Sequence, residues 1–173
     1  GALRINECMV ELAQLIASEK PQGLKFLFIT GESYYESTVS RLEDTIRLST
    51  DRLKVVPYVH NMPEVLAATS VIVSRSGASS LAEITALGLP SILIPSPNVT
   101  NNHQEANARW LEREGAAKVI LERDLNGRVL YEAIMRIACD PIRYEHMSLQ
   151  ARRLGKRDAA ALKAAFNADF WLP

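Results

Sequence analysis

The sequence predicts an α/β fold in which a parallel sheet is doubly wound with helices. Three observations carry this. Short runs rich in apolar, β-branched and aromatic residues alternate with helical stretches over most of the 173 residues. The runs are near-continuously apolar instead of alternating, as in strands buried on both faces. Two successive strand-to-helix loops between Val71 and Asn107 consist of small or polar residues, and each opens a helix. In such sheets ligands sit outside the carboxyl ends of the strands, against helix N-termini.

The elements follow in order. Leu3, Ile5, Met9, Val10, Leu12, Leu15 and Ile16 recur with helical spacing directly after Gly1-Ala2. A helix that opens on glycine usually follows a strand and a Gly-rich turn. One strand is therefore expected before Gly1, and without it the sheet has a gap in its middle. Pro21-Gln22-Gly23 breaks the helix. Residues 25–30 (K-F-L-F-I-T) read as a strand and residues 33–48 as a helix with Val39, Leu42 and Ile46 on one face. Residues 53–59 are the next strand, which Pro57 limits to an edge or to the strand's end. A short helix at 62–69 and a strand at 71–74 come next. The helix at 79–87 stops at Gly88. Residues 91–95 form a strand, 101–114 a helix ended by Gly115, and 117–121 the last strand. Three helices, at 125–138, 141–153 and 157–168, close the chain. Five strands plus the one expected before Gly1 make a Rossmann-like sheet. The tail from Phe166 to Pro173 is apolar for a terminus, which suggests packing on something outside this chain.

Composition narrows the function. Apolar residues are 47% and charged residues 23%, ordinary for a globular chain. Lys plus Arg and Asp plus Glu are 20 each, so no net charge draws the chain to nucleic acid. No long uncharged apolar run fits a spanning helix. Cys8 and Cys139 stand far apart in helix-like contexts and read as buried free thiols of a reducing cytosol. His60, His103 and His146 lack zinc-type spacing. Asn98-Val99-Thr100 matches a glycosylation acceptor, which has no meaning in a cytosolic chain.

The chemistry concentrates in three segments. Arg75-Ser76-Gly77-Ala78-Ser79-Ser80 follows a strand. Gly77 lets a ligand come close to the backbone. The N–H groups of Ala78, Ser79 and Ser80, with the helix dipole, make an anion site to which both serine hydroxyls add bonds. The competing reading is capping, since Ser80-x-x-Glu83 matches a capping box. Glu83 is a cap, an acceptor for the two hydroxyls of a ribose, or an idle surface carboxylate. Asn101-Asn102-His103-Gln104 opens the next helix, with Asn107 one turn on. These residues suit sugar hydroxyls, or Asn101 and Gln104 form a cap pair. Pro57-Tyr58-Val59-His60-Asn61-Met62 offers backbone groups for the edge of a base and a side chain for its face, or is simply a loop.

In combination, R-S-G-A-S-S-L-A-E-I-T-A-L-G-L-P-S-I-L-I-P, then N-H-Q-E-A-N-A and E-G-A-A, resemble the carboxyl-terminal half of the bacterial peptidoglycan N-acetylglucosaminyltransferases, the MurG family of two-domain GT-B enzymes. The resemblance runs from Gly1, Ala2 and Asn6 to the final helices. It implies a domain spanning residues 1–173 that binds UDP-N-acetylglucosamine (UDP-GlcNAc). Val59 would read the uracil edge through its backbone. Arg75, Gly77, Ala78, Ser79 and Ser80 would lie at the diphosphate, Glu83 at the ribose, and His103, Gln104 and Asn107 at the sugar. Some relatives carry two glutamines in place of His103-Gln104, and a larger apolar residue and a threonine in place of Ser79 and Ser80.

The resemblance further implies inverting transfer of GlcNAc to the MurNAc unit of undecaprenyl-linked lipid I, giving lipid II. It implies no metal cofactor, in keeping with a sequence that has no Asp-x-Asp. The catalytic base, the lipid I site and the contact with the cytoplasmic face of the inner membrane would belong to an amino-terminal domain outside this chain, so the chain alone is expected to be inactive. Two other readings remain open: a related GT-B transferase acting on diacylglycerol or on a dolichol-linked acceptor, and a nucleotide-sugar binding module without activity.

Overall fold

A computed structural model describes residues 3–49, 51–97 and 103–170, with the side chains of 48 and 158–170 excepted. Its elements run α1 (Leu3–Glu19), β1 (Phe26–Ile29), α2 (Glu32–Leu48), β2 (Leu53–Val56), α3 (Met62–Ala68), β3 (Ile72–Ser74), α4 (Ala78–Leu87), β4 (Ser91–Leu93), α5 (His103–Arg113), β5 (Ala117–Val119), α6 (Gly127–Ala138) and α7 (Pro141–Phe170). The alternation is the α/β pattern expected. All described strand pairs are parallel. Among the described residues, β1 pairs with β2, and β3, β4 and β5 pair in that order.

The chain forms two compact units, one of residues 1–65 with 123–133, the other of residues 66–122 with 134–173. In the first unit, Val10 and Ala13 of α1, Leu42 of α2 and Leu53 of β2 are buried together, with Phe26, Ile46 and Val55 packed on them. The apolar spacing read from the sequence is what buries these faces. Polar side chains fasten the ends. Asn6 Nδ2 donates to the Thr30 carbonyl at 2.9 Å and Arg4 Nη2 to that of Leu125 at 3.0 Å. Gly127 N donates to Glu11 Oε2 at 2.6 Å. A β-carbon on Gly127 would run into Glu11 and the Leu12 nitrogen, so glycine is what lets α6 begin against α1. β2 ends at Val56, short of the 53–59 expected, just before Pro57, which has no N–H to extend the ladder.

In the second unit, β4 is central and fully buried, as are Ile94 and Pro95 after it. Register pairs Ile72 with Ser91 and Ser91 with Ala117, so the three strands end side by side. Gly88 and Gly115 end α4 and α5 at positive φ, of 64° and 81°. After α4, Leu89 N bonds the Ile84 carbonyl and Gly88 N that of Thr85; after α5, Ala116 N and Gly115 N bond Leu111 and Glu112 in the same way. This double closure favours glycine at the left-handed position, and both stops were legible in the sequence.

Two expectations are corrected. The helices foreseen at 141–153 and 157–168 are one helix, α7. Gly155 is not a break: its missing side chain lets α7 lie on α4, where a β-carbon would stand 2.7 Å from the Thr85 carbonyl oxygen. Cys8 is buried as foreseen, but Cys139 is exposed. It follows the last residue of α6, past the apolar face that Leu130, Ile134 and Ile137 bury. Gly1, Ala2, residues 98–102 and 171–173 lie outside the described residues, and with them the Asn98 acceptor motif, Asn101 and Asn102. The side chains of the apolar tail lie outside them too.

Candidate functional site

Nine of the ten site residues expected from the sequence fall in the second unit; Val59 belongs to the first. Val59 is half-buried in the stretch between β2 and α3. Beside it the rings of Tyr58 and His60 meet edge to face at 5.3 Å.

The start of α4 removes the capping reading of Ser80 and Glu83. The N-cap is Gly77, and no side chain caps the helix. The first intrahelical bond runs from Leu81 N to the Gly77 carbonyl at 3.0 Å. Ser80 therefore lies inside the first turn, three residues past the N-cap position that a capping box requires of it. The N–H groups of Ala78, Ser79 and Ser80 begin the helix without a side-chain partner. Uncapped amides at a positive helix end form an anion site. Ser79 and Glu83 are exposed and Ser80 is half-buried. Spacings of three and four place Glu83 on the same helix face as both serines.

Gly77 has a φ of −66°, which any residue adopts. Among the described residues, a β-carbon there would meet only Gln104 Nε2, at 3.9 Å. Neither backbone conformation nor packing against the described residues demands glycine at this position. What a side chain would obstruct is approach from outside, toward the free amides.

Gln104 joins the two loops. Its Oε1 accepts from Ser96 N at 2.9 Å, and its backbone carbonyl accepts from Ser76 Oγ at 2.7 Å. The side-chain amide Nε2 remains as a donor beside Gly77. The cap-pair reading of Gln104 gives way to this bridge, and Asn101, its proposed partner, lies outside the described residues. His103 is exposed at the first residue of α5, and Asn107 is half-buried one turn further.

Arg75 Nη1 donates to the carbonyls of Ile94 and Pro95, at 3.2 and 3.1 Å, and to Glu122 Oε2 at 2.7 Å. One guanidinium nitrogen thus ties the end of β3 to the ends of β4 and β5. Ser76, Ser96 and Glu122 were not singled out from the sequence. Their partners are 28, 8 and 47 residues away, so no local spacing signals them. A small buried polar residue beside the loop glycine is the one hint Ser76 offers.

Among the described residues, no group of three or more His, Cys, Asp or Glu side chains is placed to hold a metal ion. No helix among them is long and apolar enough to cross a membrane.

Comparison with known proteins gives the family. The chain is 46% identical over 160 residues to the UDP-N-acetylglucosamine--N-acetylmuramyl-(pentapeptide) pyrophosphoryl-undecaprenol N-acetylglucosamine transferase of Oenococcus oeni, covering 92% of this chain and 42% of that protein. It is 44% identical to the enzyme of the same name from Caldanaerobacter subterraneus, again over 92% of the chain and 43% of the relative. The chain therefore spans less than half the length of the relatives it matches. Among solved structures, MurG of Acinetobacter baumannii superposes with a TM-score of 0.72 at 23% identity, over 88% of this chain and 42% of that one. The glycosyltransferase of kitacinnamycin superposes at 0.70 with 21% identity, over 100% of this chain and 40% of that one. These likenesses show the shared GT-B fold. The model of the glycosyltransferase family 28 C-terminal domain matches residues 1–162, and the chain belongs to that family.

Proposed function

We propose that this chain is the donor-binding half of an inverting glycosyltransferase that moves GlcNAc from UDP-GlcNAc to undecaprenyl-diphospho-MurNAc-pentapeptide. The observation that carries the reading is the uncapped start of α4 behind Gly77, laced to the start of α5 through Gln104. The names of the relatives supply the donor and the acceptor.

In this reading the amides of Ala78, Ser79 and Ser80 and the two hydroxyls hold the diphosphate. Glu83 accepts hydrogen bonds from the ribose hydroxyls. His103, Gln104 Nε2 and Asn107 meet the hydroxyls of the sugar. The uracil-reading role of Val59 rests on the resemblance alone.

The chemistry these groups support is departure of UDP. As the glycosidic bond to phosphate breaks, negative charge grows on the diphosphate. Fixed N–H dipoles and the positive helix end stabilise that charge without reorganising. No metal is required in this scheme. The base that deprotonates the acceptor hydroxyl, the lipid-linked acceptor itself and the contact with the cytoplasmic membrane surface are assigned to the rest of the whole protein.

Titration calorimetry on the intact protein tests the reading. UDP and UDP-GlcNAc are expected to bind. Glu83→Ala should weaken UDP by about 1–3 kcal/mol, roughly 5- to 150-fold in Kd, if the carboxylate pairs with ribose. No heat from either ligand at millimolar concentration overturns the proposal, and unchanged affinity in Glu83→Ala removes the ribose role.

A further inference from the structure

We infer that Glu122, a residue to which the sequence assigns nothing, is a positioning residue for the phosphate loop, acting through Arg75. The inference rests on the donor-binding reading above.

The loop from Arg75 to Gly77 is three residues long and delivers Gly77 to the start of α4. It is held at two points. Ser76, fully buried, bonds the Gln104 carbonyl. Arg75 is held by Glu122 Oε2 and by the carbonyls of Ile94 and Pro95, all on Nη1. Two hydrogens on that nitrogen serve three acceptors, so it has none left for a phosphate. The side chain is anchored away from any ligand at this atom, and what it controls is where its own backbone lies.

Glu122 is the charged member of the trio. A charge-assisted hydrogen bond is roughly twice as strong as a neutral one. The pair is also unlike an ordinary surface pair. Arg75 and Glu122 side chains are only 24% and 23% exposed, whereas Arg47 and Asp44, at 74% and 83%, form a solvated pair of the kind that contributes little. The pair also crosses between two strand ends 47 residues apart, while Arg47–Asp44 lies within one helix turn. Removing the Glu122 charge leaves Arg75 with two neutral carbonyls and loosens one of the two fastenings of the loop.

The test is Glu122→Gln in the intact protein, which keeps the side chain's size and an acceptor oxygen. UDP and uridine affinities are measured by titration, with the unfolding temperature alongside. A positioning role predicts a split: UDP binding falls at least fivefold, while uridine, which has no phosphate, changes less than twofold. Glu122→Asp, which keeps the charge, is expected to fall between parent and Gln variant for UDP. UDP affinity within twofold of the parent in Glu122→Gln overturns the inference. So does an equal loss of UDP and uridine, which marks general damage. A parent protein that binds UDP no better than uridine overturns the phosphate loop itself, and with it the proposed function.

Discussion

Cys8 and Cys139 carry the same chemistry in opposite surroundings. Cys8 is fully buried in α1, and its thiol is pushed up to about 12 from 9.0, chiefly by burial, with Glu11 adding to the rise and Arg4 opposing it. Cys139 is exposed. At pH 8 a thiol reagent should modify Cys139 quickly and Cys8 only when the chain unfolds, which mass spectrometry of the labelled peptides checks; equal rates would contradict the burial. The sign for stability follows from linkage. An unfolded chain releases the Cys8 proton near pH 9, while the folded chain keeps it to about pH 12. Unfolding therefore releases a proton in that window, and stability falls as pH rises from about 9 to 12. A Cys8→Ala variant should lose that part of the decline in denaturant midpoints. The sequence showed both cysteines in helical contexts but not on which face the end of α6 leaves Cys139. At Glu83 and Ser80 the residue types were legible and the roles were not. A shift of three residues in the N-cap of α4, from Ser80 to Gly77, separates a capping box from an uncapped helix start, and the four-letter pattern does not contain that shift.

At the scale of elements, the strands and helix stops followed from local rules that the structure keeps. Apolar runs became parallel strands, although only β4 is buried throughout and Leu27 and Ile29 of β1 are exposed, and Gly88 and Gly115 closed their helices at positive φ. Gly155, in the gap expected between helices at 141–153 and 157–168, is instructive because the same residue type acts there for a different reason. Glycine inside a helix costs about 1 kcal/mol relative to alanine. Here the cost is offset by close contact between α7 and α4. A β-carbon at 155 would stand 2.7 Å from Thr85 O, 2.8 Å from its carbonyl carbon and 3.0 Å from Ala86 N. These are backbone atoms, so no side chain can swing away, and overpacking of this kind costs about 1–3 kcal/mol. The clash should outweigh the gain in helix propensity. Gly155→Ala is therefore expected to lower the unfolding temperature by a few degrees, at about 2–4 °C per kcal/mol for a chain of this size. A Gly155→Ala protein that melts higher than the parent would show that α7 does not rest on α4 in this way.

At the scale of the whole molecule, the contacts that shape the site are long-range ties among the ends of three adjacent strands. They reach 47 residues along the chain. A sequence reports such ties only through relatives, which is why the resemblance implies one site while spacing alone left more than one reading of each part. The same ties predict how a ligand would be felt. If UDP is held by the free amides of α4, its effect on backbone exchange must be local and graded. The amides of Ala78, Ser79 and Ser80 gain partners directly. Ser96 N and the first turn of α5 gain protection at second hand, because Gln104 and Ser76 transmit the restraint. The interior of α1, buried in the other unit at Val10, Leu12, Ala13 and Ile16, has no bond to any of these groups among the described residues and should exchange as before. Hydrogen exchange read by mass spectrometry, with and without saturating UDP, measures this. At one hundred times Kd the ligand contributes about 2.7 kcal/mol, enough to slow exchange by roughly a hundredfold where opening requires release. Peptides covering residues 75–85 should slow most, those covering 95–107 less, and residues 8–19 not at all. Uniform slowing across all three would mean that UDP stabilises the chain as a whole and not through the start of α4. Slowing confined to 95–107 would move the phosphate site to α5.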